Sequence, residues 1–248
     1  MEYTVVTAAE RPDLIDAAQD LPETVWPIFM LQDPVVERLW MRLYDRYPEY
    51  QFMLLEKGTD RILAMGNSAP SDWSDDPQSL PDRGVDWIME STCDNAPPTV
   101  HRSQFALQVV VDPNLQRRGF SAEGVKVMMA IGRSNGCADL YLPVRPNQKH
   151  QYPLTPMEAY IRWTIDEGLP FDAWMRVHAR LGGEIIGVCA RAMHMPGTVA
   201  EWELWTGIKF PESGQYVIPN ALVPITIDRE SDRGLYVEPN VWMRHRLE

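Results

Sequence analysis

Apolar side chains recur at every third or fourth position in several stretches of the chain, which is the spacing of an amphipathic helix. The clearest stretch follows Asp33 and Pro34, residue types favoured at the N-cap and at the first helical position. Thr198 and Glu201 have the spacing of a capping box and predict a further short helix. The five predicted helices cover 34–47, 121–134, 157–165, 171–181 and 199–205.

Runs of β-branched and aromatic residues, bounded by Gly, Pro or Asp, predict strands between these helices. Before residue 198 the predicted strands are 3–7, 51–56, 61–65, 103–111, 138–144 and 184–193. Two more, at 217–227 and 235–244, are predicted to form a hairpin. We therefore expect a mixed α/β fold, in which a sheet of six or seven strands is flanked by helices and followed by a C-terminal helix and hairpin.

Residues 66–100 interrupt this pattern with five prolines and seven acidic residues against a single arginine, Arg83. We expect a long loop with one helical turn near residues 85–89, and loops of this size are usually functional or insertions. If the loop covers a substrate cleft, Glu90 or another of its acids could act as a general base and attract a cationic amine. A solvated acidic loop is the alternative, and the sequence assigns no base.

Composition narrows the class of protein further. The chain has 248 residues, 45% of them hydrophobic, which indicates a folded protein with a sizeable core. Its formal net charge of −12 argues against a general nucleic-acid partner, which requires a basic face. Neither a secretion signal nor a membrane-spanning segment is expected, and the three widely spaced cysteines are typical of reduced thiols in a cytoplasmic protein.

The most informative stretch is the strand 103–111, its turn, and the helix and strand that follow, which together have the length of a βαβ unit. The turn reads Gln116-Arg117-Arg118-Gly119-Phe120-Ser121. Backbone N–H groups at the start of a helix, together with the helix dipole, accommodate a phosphate. Gly119 permits close approach of a ligand, and the two arginines add cationic donors. A simple turn with solvated arginines is the other interpretation.

This turn resembles the acyl-CoA signature of the GNAT acyltransferase superfamily, Q/R-x-x-G-x-G/A, with Ser121 in place of the final Gly or Ala. The order of elements over residues 3–193 is also similar. The resemblance implies that Val109, Val110 and Val111 hold the pantetheine arm of acetyl-CoA or another acyl-CoA through their backbone. It also implies that Gln116, Arg117, Arg118, Gly119, Phe120 and Ser121 hold the pyrophosphate, and that Asn147 lies near the arm.

A second feature of the family is a helix ending in Y-x-x-x-G-F, whose Tyr protonates the departing CoA thiolate. Here His178 stands four residues before Gly182, and an imidazolium could perform the same step. His178 also lies on the apolar face of its predicted helix, so a packed core histidine is the competing interpretation.

Two other functions stay open from the sequence. A non-catalytic acyl-CoA-binding or regulatory module would keep the turn and lack the Tyr. A serine hydrolase could use Ser134 in Gly132-Arg133-Ser134-Asn135-Gly136, which matches G-x-S-x-G. That motif belongs between a strand and a following helix, whereas here it ends a predicted helix.

We therefore expect an acyltransferase that moves an acyl group from acyl-CoA to a small-molecule amine by direct attack, without a metal. The acidic composition favours a cationic amine, and neither a nucleic acid nor a membrane is an expected partner. The acyltransferase domain is predicted at 1–197, with 66–100 as an insertion. An extension at 198–248 packs on the same domain and either closes the sheet or forms a homodimer interface.

Overall fold

The computed structural model describes residues 2–247, so the outermost residues of the two predicted ranges, 1 and 248, lie outside it. Its strands are β1 (Tyr3–Thr7), β2 (Gln51–Glu56), β3 (Ile62–Ser71), β4 (Ser103–Val111), β5 (Asp139–Val144), β6 (Glu184–Gly197), β7 (Gly214–Tyr216), β8 (Ile225–Asp228) and β9 (Arg233–Arg246). Its α-helices are α1 (Ile15–Glu23), α2 (Pro34–Arg46), α3 (Gly84–Met89), α4 (Phe120–Ser134), α5 (Met157–Tyr160), α6 (Ala173–Arg180) and α7 (Val199–Thr206).

All nine strands described belong to one mixed sheet in the order β1-β2-β3-β4-β5-β9-β8-β7, and β6 pairs with the other edge of β9. The expected mixed α/β fold is confirmed, with a sheet larger than six or seven strands. The residues after 197 supply β9, which lies between β5 and β6. The predicted extension thus contributes a strand to the interior of the sheet.

Helices cover both faces of this sheet, because side chains along each strand alternate between them. Helices α2, α3 and α7 pack on one face, around Phe105, Tyr236 and Trp242. Helices α4, α5 and α6 pack on the other, around Leu142, Val241 and Met243. In β9 the even-numbered residues 236 and 242 and the odd-numbered residues 241 and 243 therefore serve two separate cores.

The only parallel pairing described in the sheet joins β4 and β5, and it is short. It consists of Ser103 with Asp139, Gln104 with Leu140 and Phe105 with Tyr141. Beyond this point β4 stays paired with β3, and β5 stays paired with β9, as far as their last residues. The two strands therefore diverge and leave an opening between residues 106–111 and 142–144, which we call the β4–β5 slot.

Three stretches differ from the sequence prediction. Residues 66–100, predicted as a loop, contain regular secondary structure: β3 extends to Ser71, and α3 continues into a wider helical turn at Glu90–Asp94. The predicted helix 157–165 ends at Tyr160, because Trp163 turns into an aromatic cluster with Tyr152, 4.9 Å away between ring centroids. The predicted strand 217–227 forms only at 225–228, since Pro219, Pro224 and a left-handed residue at position 220 interrupt it.

No helix within residues 2–247 has both the length and the apolar content needed to cross a bilayer.

Candidate active site

The β4–β5 slot exposes the strand edge that carries Val109, Val110 and Val111. On its other edge β4 is fully engaged, with Val109 opposite Gly66 and Val111 opposite Ala64 in β3. A register shift in β4 next to Gln108 bends the strand where it leaves β5. Backbone donors and acceptors of β4 that face the slot are thus available to an extended ligand arm, which can add to a sheet edge as a strand does.

The loop between β4 and α4 has the geometry of an anion site. Gly119 adopts φ +87° at the N-cap of α4, and Arg117 is also left-handed at φ +63°. Among the described residues no side chain caps the first turn of this 15-residue helix, which leaves its N–H groups available to a ligand. Arg117 and Arg118 are exposed and form no ion pair within residues 2–247. Arg118 and Gly119 also line a cavity of about 260 Å³.

Asn147 lies three residues beyond β5, at the open end of the slot. Its backbone N–H donates to Asp172 Oδ1 and its own Oδ1 accepts from the Trp174 N–H, both at 3.3 Å. Asp172 is buried and caps α6, so this one carboxylate ties the turn after β5 to the start of α6. The structure thus brings Asn147, the β4 edge and the 116–121 loop to the same end of the slot.

His178 lies elsewhere. Its Nδ1 is 2.9 Å from Nε2 of His245, and both imidazoles are buried. His245 pairs with Leu140, which in turn pairs with Gln104, so the two histidines lie beside the closed end of the β4–β5 pair. Burial, followed by the neighbouring His245, lowers the pKa of His178 to about 3. The catalytic role of His178 remains a prediction, and its surroundings favour a neutral, packed imidazole.

No model of a known protein family matches the chain. A comparison with curated proteins finds similarity to the arginine N-acetyltransferase avaD of Aspergillus versicolor, 31% identical over 276 residues. The match spans 99% of this chain and 94% of that relative. The chain belongs to the GNAT superfamily of acyl-CoA N-acyltransferases. It therefore transfers an acyl group from acyl-CoA to an amine, and acyl-CoA is its co-substrate.

Two solved structures share the fold of this chain. The loading GNATL domain of CurA from Lyngbya majuscula is 17% identical, with a TM-score of 0.64, over 100% of this chain and 98% of that one. The GphF GNAT-like decarboxylase, solved in complex with isobutyryl-CoA, is 15% identical, with a TM-score of 0.61, over 99% and 100% of the two chains. At these identities the similarity concerns the fold alone.

In this GNAT fold, a group of polar residues that no sequence motif indicated lies on the α2 side of the slot. The Trp26 indole N–H donates to Gln108 Oε1 at 3.0 Å, and the Arg145 guanidinium lies 5.8 Å from the centre of the Trp26 ring. Behind Arg145, the fully buried Glu238 accepts its Nε–H. The sequence offered one signal for this group, because Glu238 is the only acidic residue in β9.

Of the acids in 66–100, Glu90 and Asp86 have charged or titratable partners within the protein. Glu90 forms a bidentate pair with Arg83, at 2.8 and 2.9 Å. Asp86 is buried, and burial together with the adjacent Asp33 raises its pKa to about 8. It contacts Nδ1 of His194, whose backbone N–H donates to Asp33. These contacts join α2 and α3 to β6.

Ser134 is the last residue of α4 and is exposed. Gly136, two residues later, is left-handed at φ +80°, as expected where a helix ends. The G-x-S-x-G match is therefore part of a helix C-terminus in this GNAT fold, and no strand leads into it.

Proposed function

We propose that this enzyme acetylates a small cationic amine of the arginine type, with acetyl-CoA as donor. The single observation that carries the proposal is the near-full-length similarity to a relative named for acetylating arginine. The formal charge of −12 is consistent with it, since an acidic protein attracts a cationic acceptor.

In this proposal the slot holds the acyl-CoA. The edge of β4 at Val109, Val110 and Val111 hydrogen-bonds the pantetheine arm. The loop from Gln116 to Ser121 and the free N–H groups of α4 hold the pyrophosphate, with Arg117 and Arg118 as cationic donors. Asn147 faces the arm from the end of β5. The thioester then lies within the slot, between the pyrophosphate loop and the rung at which β4 and β5 converge.

The acceptor reaches the thioester from the face that carries Trp26 and Arg145. Its neutral nitrogen attacks the carbonyl carbon, the C–N bond forms, and the tetrahedral intermediate expels the CoA thiolate. The nitrogen loses one proton and the thiolate gains one. Holding both substrates in one slot makes the attack effectively intramolecular. We also place the enzyme in the reducing cytoplasm, because all three cysteines are buried free thiols.

The test is acetyl-CoA-dependent thiol release by the full chain, measured with arginine, lysine, leucine and glutamate as acceptors. We expect turnover with arginine, weaker turnover with leucine and none with glutamate, and mass spectrometry then locates the acetyl group on the product. Turnover with leucine equal to or above that with arginine would show that a cationic acceptor is not preferred. Thiol release that no amine accelerates would contradict the proposed acceptor class as a whole.

A further inference from the structure

Arg145 is the first residue after β5, and its guanidinium is fixed on several sides. Its Nε–H donates to both Glu238 oxygens, at 2.9 and 3.0 Å, and its Nη2–H donates to the Asn220 carbonyl at 2.7 Å. The ring of Trp26 lies against it. Only about 15% of the Arg145 side chain is exposed, and the Glu238 side chain is not exposed at all.

Glu238 is wholly buried, and burial raises the pKa of its carboxyl group against the opposing effect of Arg145. Besides Arg145 it accepts the Tyr236 hydroxyl at 3.0 Å, and that hydroxyl in turn accepts the Leu222 N–H. Burying an ion pair costs desolvation energy that apolar packing would not. A guanidinium fixed in this way beside a reaction slot can donate a hydrogen bond to a developing negative charge, which an apolar side chain cannot do.

The position of Arg145 follows from the strands. Phe105 and Tyr141 form the last paired rung. Val109 follows four residues later in β4, and Arg145 follows four residues later, directly after β5. They flank the slot from opposite sides. Trp26 connects the two sides, because it hydrogen-bonds Gln108 of β4 and covers Arg145. The guanidinium therefore lies across the slot from Gln108, on the face from which the proposed acceptor approaches.

We propose that Arg145 is a catalytic residue that donates a hydrogen bond from Nη1 to the acyl carbonyl oxygen as it becomes an oxyanion, and that Glu238 is its positioning residue. This inference rests on the proposed placement of acyl-CoA in the slot. Nη1 is the guanidinium nitrogen that neither Glu238 nor Asn220 engages.

The chemistry needs such a donor. When the amine attacks, the C=O π pair moves to oxygen, and a preoriented cation stabilises the resulting charge without reorganising. The pair then returns, the C–S bond breaks, and the amine proton leaves to water while the thiolate takes one up. The same cation disfavours a charged acceptor nitrogen, so a larger fraction of the bound amine is the neutral nucleophile.

The test compares the Arg145→Ala, Arg145→Lys and Glu238→Gln variants with the wild type, and Arg162→Ala serves as a matched control. Arg162 is an exposed arginine with no ion pair recorded within residues 2–247. For each protein we would measure kcat, both KM values, the Kd for CoA and the melting temperature. Loss of one oxyanion donor costs about 10²–10³ in kcat, which is our expectation for Arg145→Ala with an unchanged Kd for CoA.

Added guanidinium ion should restore part of the activity of Arg145→Ala and none of that of Glu238→Gln, which keeps its own guanidinium. Glu238→Gln should lose about tenfold in kcat, since one hydrogen bond to a charged group is weakened. If Arg145→Ala does not fold, the comparison of kcat with the wild type is made on Arg145→Lys and Glu238→Gln instead.

The proposal is overturned if kcat of the folded Arg145 and Glu238 variants stays near the wild-type value. It is also overturned if only the acceptor KM rises and the rise vanishes with an acceptor that lacks a carboxylate, because Arg145 would then bind the acceptor. The kinetics use whichever amine supports turnover, so a wrong acceptor assignment does not affect them. Acetyl-CoA hydrolysis passes through the same oxyanion and should fall in parallel in the variants.

Discussion

The rings of Phe105 and Tyr141, the last residues that β4 and β5 hold side by side, lie 5.7 Å apart between centroids. Trp73 packs edge-on against both, at 6.1 and 5.0 Å. Directly beyond this contact the strands separate. The aromatic cluster therefore lies at the narrow end of the slot.

We expect Phe105→Ala to weaken both the fold and the binding of acetyl-CoA. Phe105 is fully buried, and truncating a buried Phe costs about 3–5 kcal/mol of unfolding free energy. Phe210→Ala is the matched control, because Phe210 is equally buried but lies after α7. Both variants should lose stability in denaturant titrations, and only Phe105→Ala should also raise the KM for acetyl-CoA. Equal KM values for acetyl-CoA in the two variants would show that the aromatic cluster does not influence binding in the slot.

Gly119→Ala tests the phosphate loop. A left-handed residue with a Cβ costs about 1–2 kcal/mol, so stability should fall by that amount. Gly168 is also left-handed, at φ +73°, and like Gly119 it has open space where the Cβ of an alanine would lie. Gly168→Ala should lose the same stability and keep its affinity for acetyl-CoA, whereas calorimetry should show weaker binding by Gly119→Ala. Unchanged binding in both would argue against the loop as the pyrophosphate site.

Replacing Arg117 and Arg118 together by Ala should weaken acetyl-CoA binding by about a hundredfold or more, because each charge-assisted hydrogen bond to phosphate contributes about 1.5–3 kcal/mol. The affinity of the variant should also depend less on salt, since two cations no longer face the ligand. Isothermal titration at two ionic strengths measures both effects, with Arg162→Ala as the control. A salt dependence equal to that of the wild type would mean that these arginines do not contact the phosphates.

His178 should make the fold sensitive to acid. Its pKa is lowered to about 3, first by burial and then by His245, so the unfolded chain binds the proton more readily. Stability should therefore fall as the pH drops from about 6.5 toward 3, at about 1.4 kcal/mol per pH unit for one proton. His178→Asn should flatten this slope in denaturant titrations.

The same His178→Asn variant tests the catalytic prediction. Because His178 lies at the closed end of the strand pair, we expect kcat of the folded variant to stay close to that of the wild type. A large fall in kcat at an unchanged melting temperature would instead support a role as the acid that protonates the thiolate.

Local chemistry made much of the fold predictable. The limits of β4, the capping of α2 by Asp33 and the capping box of α7 were all read from neighbouring residues. Prediction failed where distant packing prevailed. Trp163 left its predicted helix for an aromatic cluster. The strand predicted at 217–227 is a separate case, because its own prolines leave only a short strand paired with β9.

By itself the sequence determined the mixed α/β class and the turn from Gln116 to Ser121, whose resemblance to the GNAT signature implied the acyl-CoA chemistry. These features depend on residues a few positions apart, where capping, turn geometry and side-chain alternation act. Only the tertiary structure decided that β9 lies between β5 and β6 and that Arg145 meets Glu238, 93 residues away in sequence. Such a pairing follows from the burial of the whole sheet, which no local pattern encodes.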